Sequence, residues 1–218
     1  MTSAMDRPAA IRRALRDLVA ERGFHGASMG AVAKEAGVAT GTAYVHYESK
    51  DELVYATYLE IKAELGEAVL EEFDTDASPF EQWDHMLKMA YGFLLEEPER
   101  ARFLSQLEES PYYEEAHARL IASGDPLAEA ARSEGFTSLI VDLPYQVIYA
   151  LSLGVALRLI AAGVQLKDEE LDTLVAATWR AVTRPQTRLP RDACDRLERN
   201  ASSTALGGAT PERKPHDY

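Results

Sequence analysis

Apolar residues recur along nearly the whole 218-residue chain at the three-and-four spacing of an α-helix, and strand-like alternation is scarce. Ile11, Ala14, Leu15, Leu18 and Val19 open the series after Pro8, which suits a first helical turn, and Gly23 closes it. Ser28 caps a second helix to about Glu35, Gly37 marks a turn, and a third short helix covers Thr40 to His46. Ser49-Lys-Asp-Glu52 is a capping box, opening a long helix to about Glu72 with Leu53, Thr57, Ile61 and Leu65 on one side. A polar break over 74–79 follows. Beyond it the spacing predicts helices over 80–96, 98–109, 112–122, 125–134, 144–163 and 167–182. The last is ended by Pro185. The tail over 185–218, rich in Pro, Gly, Ser and Arg, is expected to be mostly disordered, with room for a short helix over 192–199.

This pattern predicts an all-α fold: a small N-terminal head over 1–55, a larger helical body over 56–184, and the tail. The head holds the chain's most specific stretch, 28–50. Two helices that cross closely need small residues at the contact, and Ala33 and Ala36 supply them. The turn between them needs a residue tolerant of positive φ, and Gly37 supplies it. The helix after the turn starts with Thr40, Gly41 and Thr42, small groups that let its N-terminus approach a DNA groove. Gly41 also exposes its amide at the positive end of the helix dipole. Tyr44 and His46 follow one turn on with polar tips, and Lys50 stands at the next helix start as a point charge for the DNA backbone. Tyr47 is expected in the core.

Charge first argues the other way, because the formal net charge is −13. Its distribution removes the objection. The first 50 residues carry seven Lys/Arg against five Asp/Glu, and the remainder carries 16 against 31. A mildly basic head on an acidic body docks on phosphates while the body avoids non-specific adhesion. Other function classes find little support. The single cysteine, Cys194, excludes an internal disulfide framework and a Cys-based zinc site, and a cytoplasmic location is expected. The start lacks the apolar core of a signal peptide. There is no P-loop, no Gly-x-Ser-x-Gly elbow and no metal-spaced His pair, so no enzyme, metal or cofactor is expected. The apolar run 145–164 carries Arg158 and no basic flank, which favours a buried or interface helix over a membrane span.

The run Gly23-Phe24, Ser28 to Ala33, Ala36 to Tyr47 and Ser49 to Leu53 resembles the head of the TetR/AcrR family of bacterial transcriptional regulators, closely over about 7–55. The resemblance implies a three-helix helix-turn-helix head with its reading unit over 28–47, and a C-terminal helical domain for effector binding and dimerisation. It implies a homodimer on a palindromic double-stranded operator, most simply as a repressor released by a small, mostly apolar effector. An activator of the same fold, or a helical interaction module without specific DNA binding, are the alternatives. Position by position, Thr40, Thr42, Tyr44, His46 and Lys50 fall at family DNA-contact positions, Gly41 where the backbone nears DNA, and Ser28 at a cap close to phosphate. Gly30 replaces a base-reading arginine of some members, and Val45 a frequent aromatic or histidine, so direct reading rests on Thr40 and Thr42.

For the body, Trp83, Met86, Phe103 and Tyr149 supply aromatic and soft apolar surface for an effector. Arg158, in an otherwise apolar helix, is expected to pair with a carboxylate, and His117 or His85 to donate to a ligand oxygen. With the resemblance, Val155, Leu159, Leu171, Val175 and Trp179 are expected at the dimer interface.

Overall fold

The computed structural model describes residues 7–130, 136, 138–185 and 187–207. Among them are twelve helices and no strand, with one isolated antiparallel bridge between Ile140 and Thr183. The head is α1 (Arg7–Gly26), α2 (Met29–Glu35) and α3 (Thr40–His46). Its core is the predicted apolar series: Ile11, Leu15, Leu18 and Val19 of α1 close over Val32, Ala33, Ala43 and Tyr47. Gly37 adopts φ +68 at the turn, as its position demands. Gly23 (φ +70) kinks α1 before its last residues.

α4 (Lys50–Leu70) starts where expected, with the Ser49 hydroxyl accepting from the Glu52 amide at 3.1 Å. It leaves the head and runs into the body. There α5 (Pro79–Glu96) packs beside it, α6 (Pro98–Glu108) packs beside α1, and α7 (Tyr113–Ser123) lies along its first half. Head and body are clamped together by several contacts. Phe24 of the head meets Phe103 edge to face at 5.7 Å, and Gln106 donates to the Val19 carbonyl at 2.8 Å. Arg16 pairs with Glu97 at 2.6 Å, and Arg119 grips Glu52 with both terminal nitrogens at 2.8 and 2.9 Å.

After α8 (Pro126–Ala130), the expected helix over 125–134 passes outside the described residues. The single helix expected over 144–163 is two: α9 (Tyr145–Ala150) and α10 (Leu153–Ala161). The break falls at Ser152, whose backbone leaves the helical region (φ −125, ψ −104) and whose hydroxyl instead donates to the Ile148 carbonyl at 2.7 Å. Periodicity is blind to such a break, because the apolar run continues across it. α11 (Asp168–Val182) closes the core against α5.

In the tail, the short helix allowed over 192–199 is present and longer, so the expectation of disorder is corrected over 191–207. Arg191–Gly207 forms α12, which packs on α11 through the buried Ala193, with Arg196 4.0 Å from Asp172. The polar composition that suggested disorder is the solvated face of this helix. Residues 208–218 lie outside the described residues.

Candidate functional site

Two features concentrate the chemistry: the outer face of α3 and a pair of cavities in the body. On α3, Ala43 is wholly buried, while Thr40, Gly41, Tyr44, Val45 and His46 are exposed and Thr42 is half-buried. Tyr44 is 51% exposed and Val45 81%, an unusual display of apolar surface for a helix anchored in a core. The helix is held from behind by Tyr47, whose hydroxyl accepts from Arg12 at 2.7 Å and donates to the Pro8 carbonyl at 3.3 Å. α2 and α4 begin with serine caps, Ser28 accepting from the Ala31 amide at 3.2 Å and Ser49 from that of Glu52. α3 begins at Ala39, which has no side chain to cap with. The Thr42 amide turns back to the Ala39 carbonyl at 2.8 Å, and the amides of Thr40 and Gly41 ahead of it are left to another acceptor.

Gly41 has nothing within 4 Å of where a Cβ would stand. The free protein gives it no reason to be glycine, which costs a helix about 0.5–1 kcal/mol relative to alanine. Gly41→Ala is expected to raise stability by up to about that amount while weakening operator binding. Paired denaturation and anisotropy measurements check both signs.

Lys50 departs from expectation. Its Nζ donates to the Phe24 carbonyl, an acceptor presented just past the Gly23 kink. Partial burial lowers its pKa below the usual lysine value. Lys50 braces α4 against the end of α1 rather than projecting as a free charge. Ser28 keeps its hydroxyl proton available, since in its cap the oxygen only accepts.

In the body, a cavity of about 450 Å³ is lined by Trp83, Met86, Leu87, Phe136, Ile148 and Tyr149, among others. A second, of about 200 Å³, lies between α4 and α7 and is lined by Tyr58, Lys62, Glu108, His117, Asp125 and Arg158, among others. Tyr145 and Tyr149 line both. The sequence-derived effector residues thus divide: Trp83, Met86 and Tyr149 border the larger cavity, while His117, Arg158 and again Tyr149 border the smaller. Phe103 borders neither. It is fully buried beneath Phe24, where it serves the head–body junction. Arg158 does meet a carboxylate, Glu108 at 3.6 Å, but it is 56% exposed rather than buried. Burial raises the Glu108 pKa, opposed by Arg158, by Tyr149 and by Lys62. His85 is engaged with the Val69 carbonyl at 3.0 Å. Lys62 and Asp125 were not anticipated. Each is a charge on an otherwise amphipathic stretch, which composition reads as surface.

Two of the expected interface residues are also corrected. Val175 and Trp179 are 1% and 2% exposed within the single chain. Trp179 packs on Phe80 at 5.6 Å and Trp83 at 5.9 Å, both edge to face. The stripe on α11 faces its own core, because α5 reaches it first. Val155, Leu159 and Leu171 remain half-buried.

The head matches the family described as "Bacterial regulatory proteins, tetR family" over 11–57, and the body matches "Tetracyclin repressor-like, C-terminal domain" over 79–183. The chain belongs to the TetR family. An HTH-type transcriptional regulator of Haemophilus influenzae is 29% identical over 170 residues, spanning 76% of this chain and 89% of that one. UidR of Escherichia coli K12 is 39% identical over 59 residues, 27% of this chain and 30% of its own. The crystal structure of a TetR-family regulator from Haemophilus influenzae superimposes with a TM-score of 0.68 at 28% identity, covering 84% of this chain and all of that one. A TetR-family structure from Vibrio parahaemolyticus gives 0.60 at 27% identity, covering 82% and 99%. This TetR-family chain is therefore a transcriptional regulator with a DNA-binding helix-turn-helix. No helix among its described residues is long and apolar enough to cross a membrane.

Proposed function

We propose that the chain is a cytoplasmic repressor that binds an inverted-repeat operator as a homodimer and releases it when a small, mostly apolar effector enters the body. The observation that carries this reading is the outer face of α3: small and polar side chains displayed at one end of a helix whose back is locked in a core. In this reading Thr40 and Thr42 reach base edges, Val45 meets a thymine methyl, and Tyr44, His46 and Ser28 hold phosphates. The Gly41 backbone approaches the DNA closely.

Val155, Leu159 and Leu171 pair with the same residues of a second copy, continued by the exposed Val147, Leu151 and Val164. Val175 and Trp179 support that surface from inside. The larger cavity receives the effector, its volume of about 450 Å³ falling within the usual range for ligand pockets, about 300–1,000 Å³. α4 joins the two functions, since Tyr58 and Lys62 at the smaller cavity, which shares Tyr145 and Tyr149 with the larger, belong to the same helix and cap as Ser49 and Glu52 at the head. An effector that favours a shifted α4 changes the separation of the two α3 helices and breaks register with the half-sites.

Selection of the full chain on random-sequence duplexes tests this. Enrichment of an inverted repeat, with half-site centres about one helical turn or a multiple apart, is expected. No enrichment, or enrichment of a lone half-site, would overturn the dimeric-repressor reading.

A further inference from the structure

We propose that the effector is a carboxylate, its head seated in the smaller cavity against the Lys62 ammonium and its apolar part directed toward the larger one. This rests on the reading of the body as an effector domain and adds the chemical class of the ligand.

Lys62 is the reason. It is 6% exposed, lies on the body half of α4 and lines the cavity. No hydrogen bond or ion pair reaches its Nζ among the described residues. Its near contact is the Tyr149 ring, with Nζ 5.6 Å from the centroid. Burying an ammonium in this way is costly unless an anion meets it, and burial accordingly pulls its pKa down. The cavity contains two carboxylates, Glu108 and Asp125, which act on Lys62 through space but form no hydrogen bond or ion pair with it, and each has another partner. Glu108 faces Arg158. Asp125 starts α8, its Oδ1 accepting from the amides of Leu127 at 3.1 Å and Ala128 at 3.4 Å. The remaining wall offers donors. His117 stacks on Tyr113 at 5.5 Å, and its Nδ1 is buried without a hydrogen-bond partner. A buried ammonium without a hydrogen-bonded partner calls for a ligand that brings acceptor oxygens and negative charge.

The smaller cavity, about 200 Å³, suits a head group and a short stem. A longer apolar part would run past Tyr145 and Tyr149 into the larger cavity, which both residues also line. The position explains how such a ligand reaches the head. Tyr58 and Lys62 are on α4, and Tyr113 and His117 are on α7. The same α7 carries Arg119, which grips Glu52 in the first turn of α4. A carboxylate drawn between the two helices changes their spacing at one end while Arg119 holds them at the other.

Isothermal titration of the full chain with octanoate and 4-phenylbutanoate, each against its primary amide, tests the inference. At least one acid is expected to bind, about tenfold or more tightly than its amide, and Lys62→Met to erase the preference. Methionine matches lysine in length and removes a buried charge, so the variant is expected to keep its melting temperature. Failure of both acids to bind, equal binding of acid and amide, or a preference that survives Lys62→Met would each overturn it. Operator release separates this from the function itself. Release by neutral apolar compounds while the acids fail to bind would keep the repressor reading and end the carboxylate one. Lys62-dependent binding that leaves operator affinity unchanged would keep the site and end the effector reading.

Discussion

Trp179→Ala is expected to destabilise the protein by about 3–5 kcal/mol, the usual cost of removing a large aromatic from a packed core. The indole is 2% exposed and sits edge to face against both Phe80 and Trp83. Trp83 is itself fixed by its Nε1–H donating to the Thr178 hydroxyl at 3.2 Å, which in turn donates to the Val175 carbonyl. Truncation would therefore open a cavity where α5 and α11 lean on one another and loosen the ring that lines the larger pocket. Such a loss is a large fraction of the about 5–15 kcal/mol by which domains are stable. Chemical denaturation at fixed protein concentration measures it. A loss below about 1 kcal/mol, accompanied by dissociation into monomers, would return Trp179 to the dimer surface and contradict its place in the core.

Trp179 also shows where sequence reasoning stops. Its apolar stripe on α11 was plain from spacing, but spacing identifies a buried face without saying what buries it. A stripe that meets α5 and a stripe that meets a second copy have the same period. The head was far more legible. Its elements are short, serines cap α2 and α4 at the required positions, and Gly37 stands where only a positive φ closes the turn, so local chemistry determined the outcome. The break at Ser152 escaped notice because a hydroxyl bonding back to its own helix leaves no mark on hydrophobic period. Lys62 escaped for a related reason. A lysine on an amphipathic helix is read as solvated, and only the packing of α7 and α9 around α4 shows it to be enclosed. Lys50 stands at the expected helix start, and in the free chain its Nζ turns to the Phe24 carbonyl beside the kink at Gly23, a partner that spacing does not reveal.

The second large effect concerns the reading face. Thr40 and Tyr44 lie one turn apart on α3, both exposed, and neither holds the head together. Truncating both therefore isolates recognition from folding. Each lost base or phosphate contact is worth about 1–3 kcal/mol, so together they weaken operator binding at least about thirtyfold. Neither side chain is cationic, so the dependence of affinity on salt is expected to change little, because that slope counts phosphates neutralised by charge. The helical signal and melting temperature are expected to match those of the unaltered protein.

The most direct test is fluorescence anisotropy of the selected inverted-repeat duplex, titrated with the unaltered protein and with the Thr40→Ala/Tyr44→Ala variant across a range of salt concentrations. A loss of affinity of about thirtyfold or more, with an unchanged salt slope and an intact fold, is the predicted result. Equal affinity of the two proteins for the duplex would contradict the claim that α3 reads the operator.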